Sequence, residues 1–426
     1  MTTSILDHAP KTGLVPRAPR ASFLQRSMRS ATLANLRGIS QGHLDIIEDD
    51  QNWSFGAGSP RCTITVRNPG FWTAAALGGT CGAGAAYMRG DWDCDNLTAL
   101  VRILCRNRAA MEQVDRTANR VAQPLRALLH RFNRNSIEGS ARNIHAHYDL
   151  GDALFTRMLD DSMMYSSAIY PHPAASLSEA QQHKNELLCR ALNLQASDHL
   201  VEIGTGWGGF AVQAASTYGC RVTTTTISDD QHRIAQQRVD ALGLSDRVTV
   251  LKRDYRELKG SYNKLVSIEM IEAVGHEYYP TFFRHCDRLL TDDGMAVLQA
   301  ITISDSEYDR ARREVDFIKR FIFPGSCIPS VTALHSAAAK ASQLRPINQQ
   351  DYGPHYAKTL AEWRSRCHQH ASELAADGYD QPFQRLWDFY LSYCEGGFVE
   401  GAISVQHLSY AKPGWRASST HALGYA

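Results

Sequence analysis

The 426-residue chain has no C-x-x-C pair, no long uninterrupted apolar run and almost no net charge. Each absence removes a class of function. Ten cysteines stand at 62, 81, 94, 105, 189, 220, 286, 327, 367 and 394, none at zinc-site spacing, so no metal centre is expected. They do not form a disulfide framework, and several sit beside leucines (Leu104-Cys105, Leu188-Cys189). They read as mostly buried thiols in a reducing cytosol. The least charged stretch, Phe71–Met88, contains four glycines and many small residues, which excludes a membrane span. Residues 1–29 carry Pro, Ser and Arg but no apolar signal core, so no secretory signal is expected. A formal charge of +1 gives no global pull toward nucleic acid, and any electrostatic targeting has to be local. There is no internal repeat and no low-complexity tract. What remains is an ordinary globular composition, 43% hydrophobic and 21% charged, on a chain long enough for two domains.

The most informative stretch is His199-Leu-Val-Glu-Ile-Gly-Thr-Gly-Trp-Gly-Gly-Phe210. It reads as a buried strand, a tight glycine turn and the start of an apolar helix. Glycine at 204 and 206 lets the chain turn sharply and lets a ligand approach the backbone. The helix start beyond it leaves unpaired N–H groups. Such strand–turn–helix units bind nucleotides at the carboxyl end of a parallel strand. The spacing is G-x-G-x-G-G with Glu202 two residues ahead, not the G-x-G-x-x-G of dinucleotide folds. An acid followed by these glycines looks like motif I of S-adenosylmethionine (SAM) methyltransferases, although a glycine turn alone fits any α/β protein as well.

Around that stretch, strands are expected at 221–226, 248–252, 264–268 and 294–302, alternating with helices at 177–192, 231–242 and 278–290. This alternation predicts a parallel, doubly wound sheet. Residues 1–40 read as a flexible lead-in with a short helix near Phe23–Leu36. Residues 41–106 read as a small α+β domain with three strands and a helical stripe at 97–104. Residues 107–142 read as a basic helical connector. Between 102 and 142 nine arginines face only Glu112, Asp115 and Glu138. That charge run suits a solvated face or an anionic membrane surface, where each basic residue contributes about 1 kcal/mol. Residues 143–426 would form the main domain, with 306–426 largely helical.

Many spaced motifs now agree. They include Asn68-Pro-Gly-Phe, Gly84-Ala-Ala-Tyr-Met-Arg-Gly-Asp-Trp-Asp-Cys-Asp95, His147-Tyr-Asp-Leu-Gly151, Met164-Tyr-Ser166, Ala180-Gln-Gln-His-Lys184, Thr226-Ile-Ser-Asp-Asp-Gln231, Glu272-Ala-Val-Gly275 and Phe317-Ile-Lys-Arg-Phe-Ile-Phe-Pro-Gly325. In this order, over residues 60–410, the chain resembles the cyclopropane-fatty-acyl-phospholipid synthase family, which includes the mycolic acid cyclopropane synthases.

The resemblance implies a class I, Rossmann-like methyltransferase with a helical lid and acyl-binding insert, and a SAM site. Tyr165 and Ser166 would contact the methionine end, with Glu202, Gly204 and Gly206 beneath. Thr226, Ile227 and Gln231 would hold the ribose and adenine side, and Asp254 and Tyr255 would close over the adenine. For Tyr255, plain packing beside a strand end explains the residue equally well. The family is understood to use bicarbonate as base, held by a Cys, a Glu, a His, a backbone group beside an Ile, and a Tyr. Glu272, Ile301 and Tyr356 match three of these. Ser167 stands in place of the Cys and Gln299 in place of the His. Both still donate hydrogen bonds to an oxyanion, but the group able to shuttle a proton near neutral pH is lost. Glu269, three residues before Glu272, would add a second carboxylate to the site, although a plain exposed acid explains it more readily. His147 reads equally as a packing, capping or catalytic residue. The aromatics Phe317, Phe321, Phe323, Tyr352, Tyr356 and Trp363 would line an acyl tunnel through the resemblance alone, since a Phe stripe is more often core.

The resulting expectation is a cytoplasmic enzyme, peripheral on the inner membrane face. It would methylate the double bond of an unsaturated phospholipid acyl chain to give a cyclopropane fatty acid. The alternative is the same transfer without ring closure, giving a methyl-branched or methylidene chain. The family's larger members carry a small lipid-engaging domain, here 41–106, and act as dimers, so a homodimer is expected and a nucleic-acid partner is not. Two rivals are a small-molecule methyltransferase acting on an amine or hydroxyl and a lipid-binding protein without catalysis.

Overall fold

The computed structural model describes residues 21–108 and 151–417. His147 and most of the expected connector lie outside the described residues.

The described residues build two sheets. The smaller has four strands in the order β2-β1-β3-β4: β1 (Gly42–Glu48), β2 (Gln51–Ala57), β3 (Arg61–Val66) and β4 (Trp92–Cys94). In β1 alternate residues point inward, so Leu44 and Ile46 are each 1% exposed, the period-2 signature of a half-buried strand. Helices Gly70–Met88 and Leu97–Arg106 cover it. Trp72 is fully buried and donates from Nε1 to Glu48 at 2.9 Å.

The larger sheet has seven strands in the order β10-β11-β9-β8-β5-β6-β7. Here β5 is His199–Ile203, β6 Arg221–Thr226, β7 Val248–Lys252, β8 Tyr262–Ile268, β9 Leu290–Ile303, β10 Arg345–Asp351 and β11 Ile403–Ala411. Strands β5 to β9 are parallel, as predicted. The sheet is nonetheless mixed: β11 runs antiparallel between β9 and β10. Both β10 and β11 fall in the region expected to be largely helical, and their sequences explain why. β10, Arg-Pro-Ile-Asn-Gln-Gln-Asp, is a polar exposed edge on which Pro346 is tolerated. β11 is buried on both faces yet carries Gln406, His407 and Ser409, so it is neither an alternating strand nor a continuous apolar run.

The two sheets share one hydrophobic core, which joins Leu44 and Trp92 to Phe155, Trp207, Trp363 and Phe389. Helix Gln381–Val399 makes the junction. Its Arg385 donates to Trp92 O at 2.6 Å and stacks over Tyr87 at 3.8 Å, while Tyr87 donates to Asp388 at 3.0 Å. Of the nine arginines between 102 and 142, the three described are spent on acids. Arg102 and Arg106 hold Glu400 at 2.7 and 2.8 Å, and Arg108 pairs with Glu307. They therefore do not form a free cationic face. None of the ten cysteines forms a disulfide, and six are buried. No helix among the described residues is long and apolar enough to cross a membrane.

Candidate active site

One cavity of about 820 Å³ opens at the carboxyl ends of β5, β6, β8 and β9 and runs on toward the small sheet. Its first section is the glycine turn. Gly206 adopts φ +51, and a Cβ built there would meet no atom within 4 Å. The bare backbone thus borders open space, as a ligand lying against it requires. A Cβ on Gly209 would lie 2.5 Å from Ser162 O and 2.8 Å from Met164 Sδ. That contact fixes the segment carrying Tyr165 and Ser166 against the helix Gly209–Tyr218.

All ten residues expected at a SAM site line this cavity: Tyr165, Ser166, Glu202, Gly204, Gly206, Thr226, Ile227, Gln231, Asp254 and Tyr255. Thr226 donates to Gln231 Oε1 at 2.7 Å, so the residue after β6 and the one five positions later form a single unit. Asp254 caps the turn Tyr255–Glu257 and is clamped by Arg256 through Nε at 2.8 Å and Nη2 at 2.6 Å, a bidentate pairing. Tyr255 faces the cavity and also packs edge-on against Phe282 at 5.6 Å; the two roles coexist. Glu202 is 2% exposed and accepts from Thr224 at 2.6 Å. Burial pushes its carboxyl up to about 8, against the pull of that hydrogen bond.

Lys184 escaped the sequence reading as a functional residue. It is wholly buried and donates to Ser166 Oγ at 3.0 Å. Burial lowers its pKa to about 8, opposed by the nearby acids Glu269, Asp160 and Glu202. A lysine spaced from a glutamine and a histidine in a helix gives no such signal; only the packing of that helix against Tyr165-Ser166 does.

The second section of the cavity holds two acids. Of the two readings of Glu269, the structure has the second carboxylate and not the exposed acid: the residue is half-buried and lines the cavity. Its backbone is left-handed, φ +49, an uncommon state for a residue with a side chain and one found at functional sites. Oε1 accepts from Ser167 N–H at 2.8 Å and Gln299 Nε2 at 2.7 Å, and Oε2 accepts from Tyr356 Oη at 2.7 Å. Burial raises its pKa, and these three donors with Lys184 counteract it. Glu272 lies beside it with Oε1 accepting from Ile301 N–H, while its Oε2 is buried without a hydrogen-bond partner. Burial and the neighbouring Glu269 push Glu272 up to about 8. Three donors therefore stabilise the charge on Glu269, whereas Glu272 combines a bare Oε2 with the added repulsion of its neighbour.

Ser167 and Gln299 do not line the cavity; they stand behind Glu269. Gln299 is oriented in turn by His407, whose Nε2 donates to its Oε1 at 2.8 Å from the facing position on β11. Burial drops His407 to about 3, so it is neutral and acts as a fixed donor. The donors expected to hold bicarbonate thus already serve glutamates. The residues present do not fit a separate bicarbonate ion.

The third section is mostly apolar and is lined by Leu97, Leu100 and Leu104 from the small domain region and by Tyr390, Tyr393 and Phe398 from helix Gln381–Val399. Of the six aromatics expected in a tunnel, only Phe323 and Tyr356 reach the cavity. Phe317 is wholly buried and packs on Phe389 at 4.6 Å, and Trp363 is core beneath Tyr165 at 5.3 Å. The aromatic wall comes from a helix more than sixty residues further on, whose Tyr390 meets Tyr165 hydroxyl to hydroxyl at 2.9 Å.

Comparison with known proteins gives a consistent result. The family model described as mycolic acid cyclopropane synthetase matches residues 135–408. A curated relative from Mycobacterium tuberculosis, tuberculostearic acid methyltransferase UfaA1, is 34% identical over 96% of both chains. The cyclopropane-fatty-acyl-phospholipid synthase of Escherichia coli is 35% identical over 83% of this chain and 89% of its own. Among solved structures, mycolic acid cyclopropane synthase CmaA1 complexed with SAH and CTAB matches with a TM-score of 0.60 and 30% identity, covering 64% of this chain and 98% of that one.

Proposed function

The chain belongs to the mycolic acid cyclopropane synthetase family, and on that premise we propose that it methylates the double bond of an unsaturated phospholipid acyl chain. It is a SAM-dependent methyltransferase. The observation that carries the lipid reading is the single cavity that joins the glycine turn to an apolar section past Glu269 and Tyr356. That shape suits a methyl donor at one end and an acyl chain at the other, and the match to a structure holding both SAH and the detergent CTAB supports it.

SAM fits the first section because Gly206 leaves the backbone bare and Tyr165, Ser166, Thr226, Gln231 and Asp254 surround it. When bound it supplies an electrophilic methyl group. The chain's own residues do the rest. The apolar wall desolvates the alkene and excludes water that would quench a cation. Tyr165, Tyr356 and Tyr390 offer π faces, and the acidic pair offers negative charge, where positive charge develops on the acyl chain. Glu272, Tyr356 and Ile301 line the cavity where the proton departs, with Gln299 and Ser167 holding Glu269 from behind.

A specific observation favours the open-chain product, methyl-branched or methylidene, over the ring. The relative matched end to end is named a methyltransferase, and Gln299 replaces the histidine that family resemblance expects there. Cyclopropane remains the second reading. The enzyme would work from the membrane surface, with residues 41–106 as the lipid-engaging part.

The test is incubation of purified protein with methyl-labelled SAM and vesicles of unsaturated phospholipid. Label should enter the lipid, and mass spectrometry should find one added methylene unit with a double bond still present. Label in an added amine and none in lipid would reject the reading; loss of the double bond would select the ring.

A further inference from the structure

Family members of this kind are expected to recruit bicarbonate as the base that removes a proton after methyl addition, and the acid pair in this chain leaves no donors for it. Four groups would have held that anion. Ser167 N–H, Gln299 Nε2 and Tyr356 Oη all donate to Glu269, and Ile301 N–H donates to Glu272. A carboxylate and bicarbonate share the planar, negatively charged O–C–O unit, so three donors arranged for one also suit the other. We propose that Glu269 replaces bicarbonate in this enzyme: its tethered carboxylate occupies the anion position and is itself the catalytic base. The inference rests on the methyl-transfer reading above.

Three further observations support it. Glu269 lines the cavity beside Glu272 and Tyr356, within reach of a substrate there. Its left-handed backbone, φ +49, is a conformation that costs a side-chain-bearing residue of order 1 kcal/mol or more, and such conformations cluster at active sites. Glu272, held by Ile301 N–H and with a bare Oε2, has fewer hydrogen bonds to stabilise a negative charge than Glu269 has. The chemistry balances. The alkene π pair forms the carbon–carbon bond as the methyl–sulfur pair returns to sulfur, leaving a cation on the acyl chain. A neighbouring C–H bond then breaks, its electron pair fills the cation, and the proton passes to Glu269. That proton is released to water when the product leaves.

The experiment compares wild type, Glu269→Gln and Glu269→Gly in carbon dioxide-stripped buffer with and without added bicarbonate. Glycine accepts the left-handed backbone freely, so Glu269→Gly is expected to fold, and retained SAM affinity measured by calorimetry checks both variants. Wild-type turnover should be indifferent to bicarbonate. Glu269→Gln should lose about 100-fold or more in kcat, the usual contribution of a general base. Glu269→Gly should lose as much and regain roughly tenfold when bicarbonate enters the vacated position. Calorimetry with bicarbonate alone, without substrate, should detect binding to Glu269→Gly and none to wild type. A wild-type rate that falls in stripped buffer, bicarbonate binding to wild type, or full activity in Glu269→Gln would each overturn the proposal. If no form labels lipid, the substrate reading fails instead, and the bicarbonate-binding measurement still decides this one.

Discussion

Glu272 and Glu269 stand three residues apart in Glu269-Met-Ile-Glu272, yet the fold treats them differently. Glu272 has its carboxyl raised to about 8 from an ordinary 4.5 by burial first and by Glu269 second. Between those two values the folded chain keeps a proton that the unfolded chain has lost. Stability from this group is complete below pH ~4.5 and is lost as pH rises toward ~8. Glu272→Gln cannot ionise, so it should gain stability relative to wild type across that window, by on the order of a few kcal/mol at pH 8.5. Thermal unfolding at pH 5 and pH 8.5 checks this; an equal gap between the two proteins at both values would refute it. The identity of both acids was plain in the sequence. Their protonation was not, because it depends on Ser167, Gln299 and Tyr356, the last of them 87 residues from Glu269.

The glycine turn is the element whose sequence and structure agree most closely. The turn after β5 depends on residues adjacent in the chain, so its glycines could be assigned directly. What the sequence did not reveal is how tightly the helix start is packed. Gly209→Ala would place a methyl 2.5 Å from Ser162 O and force the 162–166 segment outward. Overpacking of this kind costs about 1–3 kcal/mol, and the displaced Tyr165 and Ser166 should weaken SAM binding by roughly tenfold. Calorimetric titration measures it; an unchanged Kd would mean that this segment does not position the cofactor. The strand β11 was missed for a related reason. Its buried Gln406, His407 and Ser409 are polar residues whose partners come from other strands, so local hydropathy misdescribes them.

At the scale of the whole molecule, the small sheet and its helices supply one end of the cavity. Leu97, Leu100 and Leu104 reach the same space as Glu269 and Gly206. Their helix Leu97–Arg106 is fixed by Arg102 and Arg106 on Glu400 at 2.7 and 2.8 Å. Leu104→Trp should shorten this end. Turnover should shift toward phospholipids with shorter acyl chains while SAM affinity is unchanged, as read by competition between chain lengths. Equal losses for all chain lengths would place the acyl terminus elsewhere.

By itself the sequence determined the parallel strands, the glycine turn and the residues around it. Those features rest on short-range periodicity and on backbone conformations that only glycine adopts freely. The tertiary structure decided the rest. It closed the sheet with an antiparallel strand and set His407 behind Gln299. It buried Lys184 beside Ser166 and gathered the donors of three distant segments onto Glu269. The reason is physical: a carboxylate's charge and a hydroxyl's partner are set by burial and by neighbours within about 3 Å, and those neighbours are chosen by packing, not by adjacency in the chain.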